Sequence, residues 1–150
     1  MQIGFDAKRL FLNHSGLGNY SRNFVRAMQK HFPDNQYHLF TPKISQNYPD
    51  LLAKPFQIIT PNGMLNSVFK SHWRSNPITK QINLQNLDVY HGLSNELPFS
   101  ITNFNGKKIV TIHDLIFIRY PDYYSSFDRK RYCKKVIAAC QMADCIIAIS

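Results

Sequence analysis

Acidic residues are scarce in this chain: 9 Asp and Glu stand against 18 Lys and Arg in 150 residues, a formal charge of +9. A surplus of that size attracts anionic ligands and surfaces without choosing among nucleic acid, phospholipid headgroups and sugar diphosphates. The patterns that accompany nucleic-acid binding are missing. The cations run from Lys8-Arg9 through Arg22, Arg26 and Lys70 to the 129–135 segment, beside no RNP-like, zinc-finger or helix-turn-helix signature. Nucleic acid is therefore not an expected partner. Cysteine is sparse too: Cys133, Cys140 and Cys145 are odd in number and fit neither CxxC zinc nor redox spacing. Reduced thiols are expected, as in a reducing compartment. No apolar run approaches the ~20 residues that span a bilayer. The N-terminus opens straight into a strand pattern rather than a charged-then-apolar leader. A cytoplasmic protein, at most peripheral to the inner face of the membrane, is expected.

Aromatic residues are plentiful, with 11 Phe and 8 Tyr, and hydrophobic residues make up 44% of the chain, enough to bury a sizeable core. Ile3 and Phe5 alternate within Gln2–Asp6 and read as a first strand. After a turn-rich loop, Tyr20, Phe24, Met28 and Phe32 recur every fourth residue, the stripe of an amphipathic helix that Pro33 ends. Strands are expected at Tyr37–Thr41, Phe56–Thr60, Asp88–His91 and Lys108–Ile112, with a buried last one at Cys145–Ile149. Helices are expected over Met64–Arg74, from Pro77 to about Leu84, and over Phe127–Ala143 with Tyr132, Val136, Ile137 and Cys140 facing inward. This alternation predicts a Rossmann-like, doubly wound α/β fold: one domain over residues 1–150, with a mainly parallel sheet covered by helices on both faces. Ligands of such sheets bind outside the carboxyl ends of the strands.

Three strand-end loops carry candidate chemistry. Gly16-Leu17-Gly18-Asn19 opens the first long helix, where unsatisfied N–H groups and the positive dipole end favour an anion. Glycines that shape a helix-entry turn explain the same residues equally well. It is not a dinucleotide fingerprint, because Ser21 stands where GxGxxG needs its third glycine. The fifth strand leads into His113-Asp114; neighbours on an extended chain point to opposite sides, so one can face a cleft while the other fixes the loop. In the loop after the fourth strand, Asn95 and Glu96 either bind hydroxyl groups or cap the loop. His91 and His113 lack a carboxylate or cysteine at ligand spacing, so no metal site is expected. A serine nucleophile would need a GxSxG elbow, which is absent. Met64–Arg74, with Trp73 beside Lys70, His72 and Arg74, reads either as a core-packing face or as a membrane-contacting one.

Five blocks together resemble the N-terminal domain of retaining GT-B glycosyltransferases, the family 4 type that includes bacterial mannosyl- and other hexosyltransferases. They are Ile3 to Ala7, Ser15 to Tyr20, Asp88 to Gly92 continuing to Leu97-Pro98, Ile109 to Leu115 with its Thr-Ile-His-Asp-Leu core, and Ala143 to Ser150, all in the family's order. The resemblance implies transfer of a hexose from a nucleotide-diphosphate sugar to an acceptor hydroxyl with retention, in cell-surface polysaccharide or glycolipid synthesis. It implies that Gly16, Leu17, Gly18 and Asn19 lie beside the donor diphosphate and a glycan or lipid-linked acceptor. His113 would approach the donor sugar as the catalytic residue, with Asp114 holding its loop. It implies no cofactor and no metal. It also implies a C-terminal nucleotide-sugar-binding domain, absent from these residues, so that the chain by itself is expected to be inactive. A non-catalytic Rossmann-like module that docks on an anionic lipid or protein partner is the competing reading. A nicotinamide-cofactor domain is disfavoured by the missing third glycine.

Overall fold

The computed structural model describes residues 1–62 and 70–149. Its described strands form a single sheet in which every pairing is parallel. β1 (Gln2–Asp6) lies between β2 (Gln36–Phe40) and β4 (Val89–Gly92); β3 (Phe56–Ile59) lies beyond β2, and β5 (Lys107–Ile112) and β6 (Cys145–Ala148) lie beyond β4. The order β3-β2-β1-β4-β5-β6 is that of a doubly wound Rossmann-like sheet, and chain direction across it reverses between β1 and β4.

Two apolar clusters occupy the two faces, as the alternation of side chains along each strand requires. Ile3, Phe5, Tyr37 and Leu39 pack under α1 (Lys8–Leu12) and α2 (Gly16–His31) with Leu10, Phe11 and Val25. Phe40, Tyr90, Val110 and Ile112 pack on the other face under α3 (Lys70–Ser75), α4 (Ile78–Leu84) and α6 (Ser126–Met142). Between α4 and α6 the chain also makes the four-residue α5 (Ile116–Arg119). Gly4 matters to the second cluster, because a Cβ there would run into Leu87 and crowd Phe40 and Tyr90, whose rings meet edge-on at 5.7 Å. Asp88 and Asp144, each just before a strand, help set the register. Their carboxylates accept from the amides of Gln2 and Lys108 on the neighbouring strands, both at 2.7 Å.

The expected elements sit within a residue or so of their observed bounds; the short α5 was not expected, and three further differences stand out. α1 was not expected; five residues with Leu10 and Phe11 buried form it inside what reads as a loop. β6 is not buried. It is the outermost strand on its side of the sheet, and Cys145, Ile146 and Ala148 are exposed, because an apolar run reads the same whether one flank or two are covered. On α6 the inward stripe is Cys133, Val136, Ala139 and Cys140, while Tyr132 and Ile137 are exposed. At roughly 100° per residue, Val136 and Ile137 cannot share a face. The helix expected over Met64–Arg74 lies outside the described residues up to its last turn. There Trp73 is buried in the core and donates from Nε1 to Gln81 at 2.7 Å, which favours the core-packing reading for that residue.

Candidate functional site

The carboxyl ends of β1, β4 and β5 meet where the strand order reverses, and each face of the sheet carries its own polar group there. On the face covered by α2, Asn13 organises the helix entry. Its Oδ1 accepts from the Ser15 amide, the Ser15 hydroxyl and the Gly18 amide at 2.8–3.0 Å. Gly18 is sterically required, since a Cβ would collide with the Asn13 backbone carbonyl. Gly16 is different: a Cβ there meets nothing within 4 Å. The two glycines thus divide the alternatives, with Gly18 shaping the turn and Gly16 leaving open space beside the first turn of a helix. Arg22 supports the turn from beneath. Its Nη1 donates to the Leu10 and Asn13 carbonyls at 2.8 and 2.9 Å and its Nη2 to the Asn19 side chain at 2.6 Å, while the guanidinium stacks 4.4 Å from the Tyr48 ring.

His113 turns toward this helix. Its ring meets Tyr20 edge-on at 4.8 Å, and its Nε2 lies 2.7 Å from the Leu93 carbonyl, to which it donates. The His113 amide donates to Asn95 Oδ1 at 2.7 Å, and the Asn95 amide donates to the Thr111 carbonyl at 2.9 Å. Asn95 takes a positive φ of 60°, a conformation Asn tolerates better than most residues. Gly92 lets the loop curl back, because a Cβ there would strike the Glu96 carbonyl. The loop after β4 is thereby fastened to the end of β5 and orients the imidazole. Asp114 points its Oδ1 to the Ile116 amide at 3.2 Å and starts α5, so the His113-Asp114 pair splits between the glycine helix and its own loop. Beneath His113 lies His91, with Nε2 2.8 Å from the Thr111 hydroxyl and its ring 5.2 Å from Phe24. Burial pulls its pKa down to about 4, so this imidazole is neutral at pH 7.

The opposite face holds a charged lattice that sequence reading did not find. Arg74 bonds both oxygens of Asp6, with Nε at 3.1 and 2.9 Å and Nη2 at 2.6 Å, and its Nη1 reaches Glu96 Oε1 at 2.5 Å. Lys135 of α6 completes the lattice on Glu96 Oε2 at 2.7 Å. Burial raises the Glu96 pKa, but Arg74 and then Lys135 outweigh it and hold the group at about 2. Burial likewise opposes the Arg74 charge, and the Asp6 and Glu96 carboxylates overcome it and raise its pKa. Nothing in the sequence pairs these residues: Arg74 is 68 positions from Asp6 and reads as one more surface cation. Lys8, nearest the lattice in sequence, has its pKa lowered first by burial and then by Arg74.

Gly16, Leu17, Gly18, Asn19, Asn95 and His113 therefore gather on the α2 face. Glu96, expected beside Asn95 as a ligand-binding group, turns to the other face with both oxygens engaged. Among the described residues no three His, Cys, Asp or Glu side chains group as a metal site, and no helix is long and apolar enough to cross a membrane. Comparison with protein-family models returns no match, and comparison with curated proteins returns none either.

Proposed function

We propose that this chain is the acceptor-side domain of a retaining GT-B-type glycosyltransferase. In this reading it acts on the cytoplasmic side, and its cleft takes a nucleotide-diphosphate hexose together with a glycan or lipid-linked acceptor. The observation that carries it is His113, fixed by Leu93 and Asn95 at the end of β5 and packed against Tyr20, one turn along the helix that begins at Gly16. That places an imidazole and the positive end of a 16-residue helix on the same side of the switch point. The amides of Gly16 and Leu17 have no helical acceptor behind them and suit the charge that develops on a departing diphosphate. Open space at Gly16 lets that group approach the backbone. His113, held in one orientation, contacts the sugar. A second domain supplies the remaining nucleotide contacts, so turnover by these residues alone is expected to be negligible.

Equilibrium titration with uridine and guanosine diphosphate hexoses, and with NAD as the rival ligand, tests the reading. Half a cleft is expected to bind a nucleotide sugar with Kd near ~1 mM, more tightly than NAD, and His113→Ala is expected to weaken it without unfolding the domain. Preference for NAD, or unchanged affinity in His113→Ala, overturns it.

A further inference from the structure

Away from the strand ends, exposed aromatic and apolar side chains gather along α5, the turn Pro121–Tyr123 and the first half of α6. Tyr123 is 78% exposed, Phe127 74%, Ile118 53% and Tyr120 47%. They are held in place by one another and by cations. Tyr120 and Tyr123 stack at 5.7 Å, and the Arg131 guanidinium lies 5.9 Å from the Phe127 ring centre and 5.5 Å from that of Tyr132. A groove of about 300 Å³ runs beside them, with Phe117, Ile118 and Cys133 as its apolar lining and Arg129 and Lys130 as its cations.

Charge on this face is mainly positive: Asp122, in the Pro121–Tyr123 turn, is exposed and makes no ion pair among the described residues, against four such cations. Asp128 is occupied by Arg131 at 2.9 Å, and Lys135 is turned inward to Glu96. Arg119, Arg129, Lys130 and Lys134 make no ion pair among the described residues. Apolar side chains and tyrosines set among unpaired lysines and arginines match the two layers of an anionic bilayer surface. Rings with polar tips settle at headgroup level, and the cations meet the lipid phosphates. A second copy fits poorly, because two-fold pairing sets these cations against their own images. A protein partner is disfavoured by the exposed lysines, a residue type depleted from protein interfaces.

We propose that the α5–α6 face docks this protein on an anionic lipid bilayer, with Ile118, Tyr123 and Phe127 entering the headgroup layer and Arg129 and Lys130 binding lipid phosphate. This surface differs from the Met64–Arg74 segment that the sequence suggested for membrane contact, and the proposal does not depend on the transferase reading.

Co-sedimentation with vesicles tests it. The chain is expected to partition onto phosphatidylcholine vesicles containing about a third phosphatidylglycerol, to ignore pure phosphatidylcholine, and to lose binding as salt rises. Arg129→Glu with Lys130→Glu is expected to lower partitioning at least about tenfold, and Tyr123→Ser with Phe127→Ser to lower it severalfold. Tyr123, Phe127 and Lys130 are exposed and Arg129 is half-buried, and circular dichroism checks that each variant is folded. Lys30→Glu with Lys107→Glu, elsewhere on the protein, is the control for diffuse charge. Three results overturn the proposal: no binding of the wild type to the anionic vesicles, a control loss as large as that of the Arg129/Lys130 pair, or concentration-dependent self-association that Phe127→Ser abolishes.

Discussion

At the carboxyl ends of β1 and β4 the two faces of one sheet use their polar residues in opposite ways. On the α3–α6 face, Asp6, Arg74, Glu96 and Lys135 satisfy one another, with the Arg74 side chain only 10% exposed. On the α2 face, His113 and Asn95 are held by backbone groups, and Gly16 borders open space. Charge alone would assign the function to the first face. Hydrogen-bond accounting reverses that: carboxylates whose oxygens are already bonded to cations have little left for a ligand, whereas the His113 imidazole, anchored through its loop, keeps a fixed orientation beside a helix N-terminus. The lattice ties α3 and α6 to the switch point, and the other face presents the candidate site.

The largest test of this division is Arg74→Leu. Removing the cation strands the buried Asp6 carboxylate, leaves Glu96 with Lys135 alone, and is expected to cost about 3–5 kcal/mol in chemical denaturation. Adding Asp6→Asn removes the stranded charge and should recover part of that loss, so an undiminished loss in the double variant would break the coupling. Next comes acid, which should act on His91 and Glu96 in separate windows. His91, at about 4 in the fold against 6.5 unperturbed, favours the folded state fully above pH 6.5 and loses that contribution as pH falls toward 4. The loss is about 3 kcal/mol. His38, lowered by burial, adds in the same direction. Glu96, at about 2 against 4.5, likewise favours folding above pH 4.5 and loses its contribution between 4.5 and 2. Denaturation midpoints of His91→Gln should lose most of their slope in the upper window, where His38 still contributes, and keep the lower one.

The glycines sharpen the comparison further. Gly18→Ala forces the helix entry off Asn13 and should destabilise by about 1–3 kcal/mol. Gly16→Ala should leave stability unchanged or raise it by less than about 1 kcal/mol, while weakening nucleotide-sugar binding. Thermal melts of the two variants separate the roles, and equal losses would contradict them. The smallest effect belongs to Asp50→Asn. Its partner Arg26 sits 2.7 Å away with both side chains over 40% exposed, and such a pair contributes under about 1 kcal/mol. A loss near that of Arg74→Leu would mean that burial does not set the scale.

Local patterns announced most of the scaffold. Alternation in Gln2–Asp6, the four-residue spacing from Tyr20 to Met28 and the apolar Lys-Ile-Val-Thr-Ile run place strands and helices because burial imposes those periods on the sequence itself. Strand-end loops then follow from the parallel sheet, which is how Gly16, Asn95 and His113 come into view. What stayed hidden depends on distant partners. Arg74 carries no local mark of burial, Glu96 and Asn95 are neighbours that part to opposite faces, and an apolar strand such as β6 does not say whether it is central or at an edge. Gly16 and Gly18 look equivalent until Asn13 is seen to fill the space beside one of them.

Amide-resolved NMR titration of the wild-type chain with a nucleotide-diphosphate hexose tests the central division most directly. Shifts are expected to concentrate at Gly16, Leu17, Asn19, Asn95 and His113, with Arg74 and Lys135 unmoved. Shifts centred on Arg74, Glu96 and Lys135, or none at ligand concentrations well above ~1 mM, would contradict it.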